Sequence, residues 1–213
     1  MKANLVLLIP IIFLISCTNL QSTESIEPQP SQLQSDILRE EETNLIQYFL
    51  EDDSSAKFKG VGNEYASFTL KTHFLYENFV ATYEDNGGTI MRRFYKISPT
   101  QITLIQEQGE AYEEAKPSLQ ELESMEDISI YLEIPLKVGT KFDGWHITSI
   151  TSTVKSDIQT FDNVIVMEKK DEQGNLMRKF LAKDFGEIQR EYISTKEEAP
   201  FTVSSIIERI EYR

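Results

Sequence analysis

From residue 57 onward, apolar and polar side chains alternate with a period of two. Ala66, Phe68, Leu70 and Phe74 stand between Ser67, Thr69, Lys71 and His73, and Phe79, Ala81 and Tyr83 repeat the pattern. Side chains along a strand point to opposite faces in turn, so this period predicts half-buried β-strands. Asn86-Gly87-Gly88 tolerates positive φ and predicts a hairpin turn. Residues 89–97 return, Ser98-Pro99-Thr100 turns again and 101–106 follow, completing a four-stranded meander.

The alternation lapses over 108–127, a stretch with Gly109, Pro117 and seven acids. It resumes at Ile128, Ile130, Leu132 and Ile134 and continues through 145–154, 163–169, 176–182, 188–193 and 201–212. Asp171-Glu172-Gln173-Gly174-Asn175 and Lys183-Asp184-Phe185-Gly186 read as turns between these strands. Short strands at regular spacing predict a mainly β protein, a two-lobed antiparallel sheet of meander, half-barrel or sandwich type. The N-terminal lobe is placed at 54–108, an acidic connector at 109–127 and the C-terminal lobe at 128–213. At most one short N-terminal helix is expected, over 36–49. There Ile37, Leu38, Leu45, Ile46 and Phe49 share a helical face, and Ser35 or Asp36 is the N-cap.

The start of the chain follows another logic. Lys2 precedes an apolar run from Leu5 to Ile15, which ends in Leu14-Ile15-Ser16-Cys17. As a helix that run rises ~16 Å against ~30 Å of hydrocarbon, so it is too short to span. Basic start, apolar core and small residues identify residues 1–16 as a signal peptide, cut between Ser16 and Cys17. Leu14, Ser16 and Cys17 resemble the bacterial lipobox, at which the cysteine receives diacylglycerol, with acyl chains such as palmitate, and becomes the mature N-terminus. Two acyl chains anchor stably where one is reversible. The mature protein is therefore expected on the cell membrane, lipid-anchored at Cys17 and facing away from the cytoplasm. Residues 17–53 comprise the lipidated cysteine, a flexible acidic tether and the short helix. The tether, 18–35, is rich in Ser, Thr and Gln and too poor in apolar residues to offset its ordering entropy.

Charge and cysteine content narrow the picture further. Residues 1–16 contain Lys2 as their one charged residue, so the net charge of −14 becomes about −15 in the mature chain. That excess excludes nucleic acid as a partner, because its backbone is held by Lys and Arg. Cys17 is the only cysteine, so the exported domain depends on its own core without an intramolecular disulfide.

Few residues point to chemistry. His73 and His146 lie in separate strands without a second ligand at metal-binding spacing, and read as ordinary strand residues. The Asp171 turn and Glu84-Asp85-Asn86 lack the calcium-loop pattern and read as hairpin tips. There is no G-x-S-x-G, and Gly60-Val61-Gly62 leads into a strand where a phosphate loop needs a helix. No catalytic residue, metal or cofactor is expected beyond the covalent diacylglycerol on Cys17. The aromatic content of the first lobe stands out: Phe68, Phe74, Tyr76, Phe79, Tyr83, Phe94 and Tyr95. A small antiparallel sheet normally buries one face. Aromatics on both faces leave one either to line a concave cleft or to be covered as core. The candidate ligand cleft comprises Phe68, Phe74, Tyr76, Phe79, Tyr83 and Trp145.

Residues 60–68 (GVGNEYASF), Asn86-Gly87-Gly88-Thr89 and residues 135–142 (PLKVGTKF) resemble a family of uncharacterised lipoproteins of Gram-positive bacteria. The likeness runs over roughly residues 58–193. Near 184–188 that family has a Gly-x-Gly turn into a strand; this chain keeps Gly186 but has Asp184 at the first glycine. It also lacks a glycine near Thr160, and Phe142 stands where a tryptophan is common. The resemblance implies a lipid-anchored extracytoplasmic protein and brings no catalytic residues. The expectation is a non-enzymatic binding or envelope-interaction module whose partner is an apolar small molecule or an envelope protein. Two alternatives remain, an envelope hydrolase using a carboxylate pair and a structural or assembly partner. A binder needs a concave pocket, a hydrolase two converging acids with a perturbed pKa, and a structural partner an open strand edge.

Overall fold

The computed structural model describes residues 44–195 and 200–212. The signal peptide, Ser16, Cys17, the 18–35 tether and most of the expected 36–49 helix lie outside these. The described residues belong to one compact unit.

Twelve antiparallel strands form one sheet. The first six are β1 (Ser54–Val61), β2 (Phe68–Tyr76), β3 (Phe79–Asp85), β4 (Ile90–Ile97), β5 (Gln101–Gln108) and β6 (Ser129–Glu133). The second six are β7 (Lys141–Phe142), β8 (Trp145–Lys155), β9 (Thr160–Lys170), β10 (Leu176–Ala182), β11 (Gly186–Ile193) and β12 (Thr202–Glu211). Their spatial order is β6-β5-β4-β3-β2-β1-β12-β11-β10-β9-β8-β7. The chain starts in the middle, meanders to one edge, crosses to the other and meanders back until β12 pairs with β1. The two halves read as lobes are thus the two arms of one sheet.

The crossing dictates the shape. A flat sheet of twelve strands would set its edges ~50 Å apart at a strand spacing of about 4.8 Å. Residues 134–140, which join β6 to β7, reach at most ~28 Å when fully extended. The sheet must curl, and it becomes a nearly closed barrel-like wall with β6 and β7 brought near each other. The Ile130 backbone N–H bridges this seam by donating to the carboxylate of Asp143, in the β7–β8 turn.

The concave side is filled by both arms. One cluster joins Val80, Tyr95, Ile97, Ile102 and Leu132 of the first arm to Phe142, Ile147, Ile165, Met167 and Leu181 of the second. Leu45 and Phe49, from the segment preceding β1, complete it. A second cluster joins Phe58 and Phe68 to Val154, Phe161, Val164, Ile188 and Ile207.

The other face of the first arm has its own cover. Phe79, Ala81, Tyr83, Phe94 and Ile105 are buried beneath Leu122, with Ala115 and Met125 beside them. Leu122 belongs to the single α-helix of the described residues, α1 (Leu119–Glu123). Ser118 caps it in a capping box with Glu121. This helix sits in the acidic connector. In the expected 36–49 helix, the described part forms a 3₁₀ turn at Leu45–Tyr48, capped by the side chain of Asn44. Two strands escaped the sequence reading, β1 and the two-residue β7. Asp184, at the first glycine position of the resembled turn, has φ 67, the left-handed conformation that a glycine adopts easily.

Candidate functional site

Strand alternation builds the site. In β3, Phe79, Ala81 and Tyr83 turn toward the connector, so Val80, Thr82 and Glu84 turn toward the concave side. Thr82 and Glu84 line a cavity of about 530 Å³ that opens to solvent, with the exposed Tyr65 among its lining residues. Arg93 and Tyr95 reach it from β4, Lys179 from β10, Glu187 and Arg190 from β11. Tyr131 of β6 and Trp145 of β8 line it near the seam. Tyr48, Phe49 and Leu50 line it as well, so the segment that follows the tether forms part of its wall. Phe49 packs there on Tyr95 and Tyr131, with ring centroids 5.1 and 5.9 Å away.

A row of alternating charges runs through this cavity. Arg93 donates Nε to Glu107 at 2.6 Å and Nη1 to Glu84 at 3.0 Å. Arg190 grips both oxygens of the same Glu84 at 3.0 Å and donates Nε to Glu187. Lys179 closes the row, 3.3 Å from Glu187, with its Nζ over the rings of Tyr131 (4.8 Å) and Trp145 (5.4 Å). Glu84 and Arg190 are 106 residues apart in sequence, and their bidentate pair ties the two arms across the concave side. Arg190 also lies over the ring of Phe68 at 4.4 Å.

The interior sets the protonation of this row. Burial pushes the Glu187 carboxyl up, but Arg190 and Lys179 outweigh it and hold the pKa at about 2. Glu84 is likewise below its ordinary value, since Arg190 and Arg93 overcome the effect of burial. Lys179 is lowered by burial, with Arg190 and Arg93 adding to the effect and Glu187 opposing it. Burial pushes the Tyr95 hydroxyl up to about 12 and holds the Tyr131 hydroxyl well above its ordinary value. Lys179 and Arg190 keep 26 % and 32 % of their side-chain surface open. Both line the cavity.

Of the six expected cleft residues, Phe68 and Trp145 line the cavity. Phe74 packs against the cluster that contains Tyr95 and Phe49. Phe79 and Tyr83 lie on the opposite face beneath α1, and Tyr76 is exposed with its hydroxyl donating to the carbonyl of Pro117. The charged row was absent from the sequence reading. Its signal was present: Phe79, Ala81 and Tyr83 commit one face of β3 to core, which sends Glu84 to the concave side.

The histidines have local partners. His73 Nδ1 lies 2.7 Å from Asp53 Oδ1, and the nearby Asp52 accepts from the Phe74 backbone N–H at 2.6 Å. Asp52, Asp53 and His73 bring their oxygens and nitrogen within 4.8 Å of one another, but both acids are exposed and these hydrogen bonds pin the turn before β1 onto β2. His146 faces Glu168 at 3.9 Å across the β8–β9 pair. In the acidic turn, the Asp171 carboxylate accepts from the backbone and side-chain nitrogens of Asn175.

The molecule is therefore of the curled antiparallel-sheet class with a charge-lined cavity on its concave side. No family model matches the chain, and no curated protein matches it. Two solved structures have a similar fold. One, from Parabacteroides distasonis ATCC 8503, is named a "putative lipoprotein"; it has a TM-score of 0.51 and 11% identity over 77% of this chain and 98% of its own. The other, from Bacteroides fragilis NCTC 9343, is named a "putative exported protein with YmcC-like fold". Its TM-score is 0.48, with 12% identity over 76% of this chain and 97% of its own. The Gram-positive origin implied by the sequence resemblance finds no support in them.

Proposed function

We propose that this protein is a lipid-anchored, extracytoplasmic, non-enzymatic binding module whose concave-side cavity holds a small molecule. The observation that carries the reading is the 530 Å³ cavity itself, lined by Trp145, Tyr131 and Phe68 together with ionised groups already held in place by one another. A volume of that size suits a small organic ligand. The lipobox at Cys17 supports the anchor, and the names of the two fold relatives agree with an exported lipoprotein.

The hydrolase alternative asks for a carboxylic acid that is protonated near neutral pH. Glu84 and Glu187, which share Arg190, are two of the four glutamates that line the cavity, and both are held below their ordinary values by cations. That favours binding over acid–base hydrolysis. An occupied cavity stabilises the folded state by mass action. Fractions of a small-molecule extract of the producing cell's envelope are expected to raise the Tm of the processed chain by several degrees. Thr82→Phe, which fills the cavity, is expected to abolish the rise. If no fraction shifts Tm, or if Thr82→Phe shifts equally, the cavity reading fails.

A further inference from the structure

We infer that the cavity takes an uncharged organic molecule with an apolar body and at least one hydrogen-bonding oxygen. The inference rests on the binding reading above and names the ligand's chemical class. The fixed charges of the wall cancel, four cations facing four carboxylates. Glu84 joins Arg93 to Arg190, and Glu187 joins Arg190 to Lys179. Glu191 pairs with Arg178, and Glu107 pairs with Arg93. No ionised group of this wall is left over for a charged group of the occupant. Charges in an interior need partners, and parting a buried pair is costly. A cation or an anion would add net charge to a neutral wall, and a zwitterion would have to part pairs that already exist. An uncharged molecule does neither.

The rest of the wall fits the other properties of such a ligand. Trp145, Tyr131, Phe68, Leu70 and Met177 supply apolar surface among the charges. Two groups ask for an oxygen. Thr72 is 1% exposed, lines the cavity, and its hydroxyl has no hydrogen-bond partner. Buried hydroxyls are almost always satisfied, so this one marks a place for a polar atom of the occupant. Lys179 has Glu187 as its one ionic partner among the described residues. An ammonium has three donors, so Lys179 keeps N–H groups for a hydroxyl or carbonyl oxygen. A pure hydrocarbon would leave both groups unanswered.

Trp145 is the only tryptophan and lines the cavity, so it passes excitation energy to a naphthylamine probe seated there. The test titrates the processed chain from residue 18 with two probes that share one skeleton. One is the uncharged N-phenyl-1-naphthylamine, the other the monoanion 8-anilinonaphthalene-1-sulfonate. The wild type is expected to bind the uncharged probe 1:1 and at least about tenfold more tightly than the anion. Glu107→Gln gives the wall one net positive charge and leaves the Glu84 and Glu187 pairs in place. It is expected to cut the preference at least about threefold. A smaller preference in the wild type, or a preference for the anion, overturns the inference and leaves the cavity reading standing. So does a Glu107→Gln variant whose preference is unchanged. Absence of energy transfer to either probe, or transfer undiminished in Thr82→Phe, removes both. Competition against the seated uncharged probe covers the other sign of charge. 1-Naphthaleneethanol is expected to displace it at lower concentration than 1-naphthaleneacetate or 2-(1-naphthyl)ethylamine, and a charged analogue that displaces it better overturns the inference. Displacement by 1-monooleoylglycerol assigns a membrane-derived ligand, and displacement by 1-naphthaleneethanol alone a soluble one. Displacement by neither contradicts the inference.

Discussion

Glu187 is the residue on which the interior depends most. It is the shared partner of Arg190 and Lys179, and its side chain is 6% exposed. Removing one member of a buried ionic set leaves the others uncompensated and typically costs about 3–5 kcal/mol. Glu187→Gln is expected to lower stability by about that amount, read as a shift in the urea midpoint at constant slope. The sign of the pH dependence follows from the depressed pKa. A carboxyl that titrates at about 2 in the folded state and near 4.5 ordinarily contributes in full above pH 4.5. The contribution fades as pH falls toward 2. The wild-type advantage over Glu187→Gln should therefore shrink steadily across that window; an advantage independent of pH would contradict the ionised pairing. Reading such residues from sequence needs knowledge of which face of a strand is inside. The alternation in β2 and β3 was legible, but the apolar residues of these neighbours turn to opposite faces: Phe68 lines the cavity and Phe79 lies beneath α1. Only the register of the pair settles that, and Thr72 opposite Thr82 is a tertiary fact. Long-range pairs such as Glu84 with Arg190 leave no local signature at all.

At the scale of elements, two short segments act as covers. Helix α1 has five residues and cannot stand alone, so tertiary packing of Leu122 over Phe79, Tyr83 and Phe94 holds it in place. Leu122→Ala is expected to cost about 2–5 kcal/mol, and Ser118→Ala, which removes the cap, about 1 kcal/mol. Thermal or urea unfolding distinguishes the two; near-neutral Leu122→Ala would mean that the connector is not a cover. On the concave side, the segment of Leu45–Tyr48 and Phe49 docks against the start of β11. Gly186 has φ +68, and a Cβ there would lie 2.9 Å from the Tyr48 carbonyl oxygen and 3.0 Å from Phe49 Cα. Gly186→Ala is expected to dislodge the segment and change the emission of Trp145 as the cavity wall opens. An unchanged spectrum and Tm would contradict the docking. The connector helix was hidden from sequence because Pro117 and the acid density resemble a loop. The capping pair Ser118 and Glu121 was its one local sign. Strand β1 was hidden because the Ala56 and Phe58 pattern is brief and is interrupted by Gly60.

For the molecule as a whole, the strands and hairpins were largely readable because they rest on local alternation and turn chemistry. The single curled sheet was not, because it depends on β1 pairing with β12 across almost the whole chain. The proposed attachment is tested separately from the domain. Cys17→Ala is expected to move the protein from the membrane fraction to the soluble fraction; retention after a salt wash would contradict the anchor. Deletion of 18–35 is expected to leave Tm within a degree or two, whereas a loss of several degrees would mean that the segment packs. The central claim is that the cavity is a ligand site, and native mass spectrometry of the processed chain, purified gently from its own envelope, tests it most directly. The account predicts one small organic mass bound 1:1 in the wild type and absent from Thr82→Phe. A wild-type chain that is bare under these conditions, or the same adduct on both proteins, would contradict it.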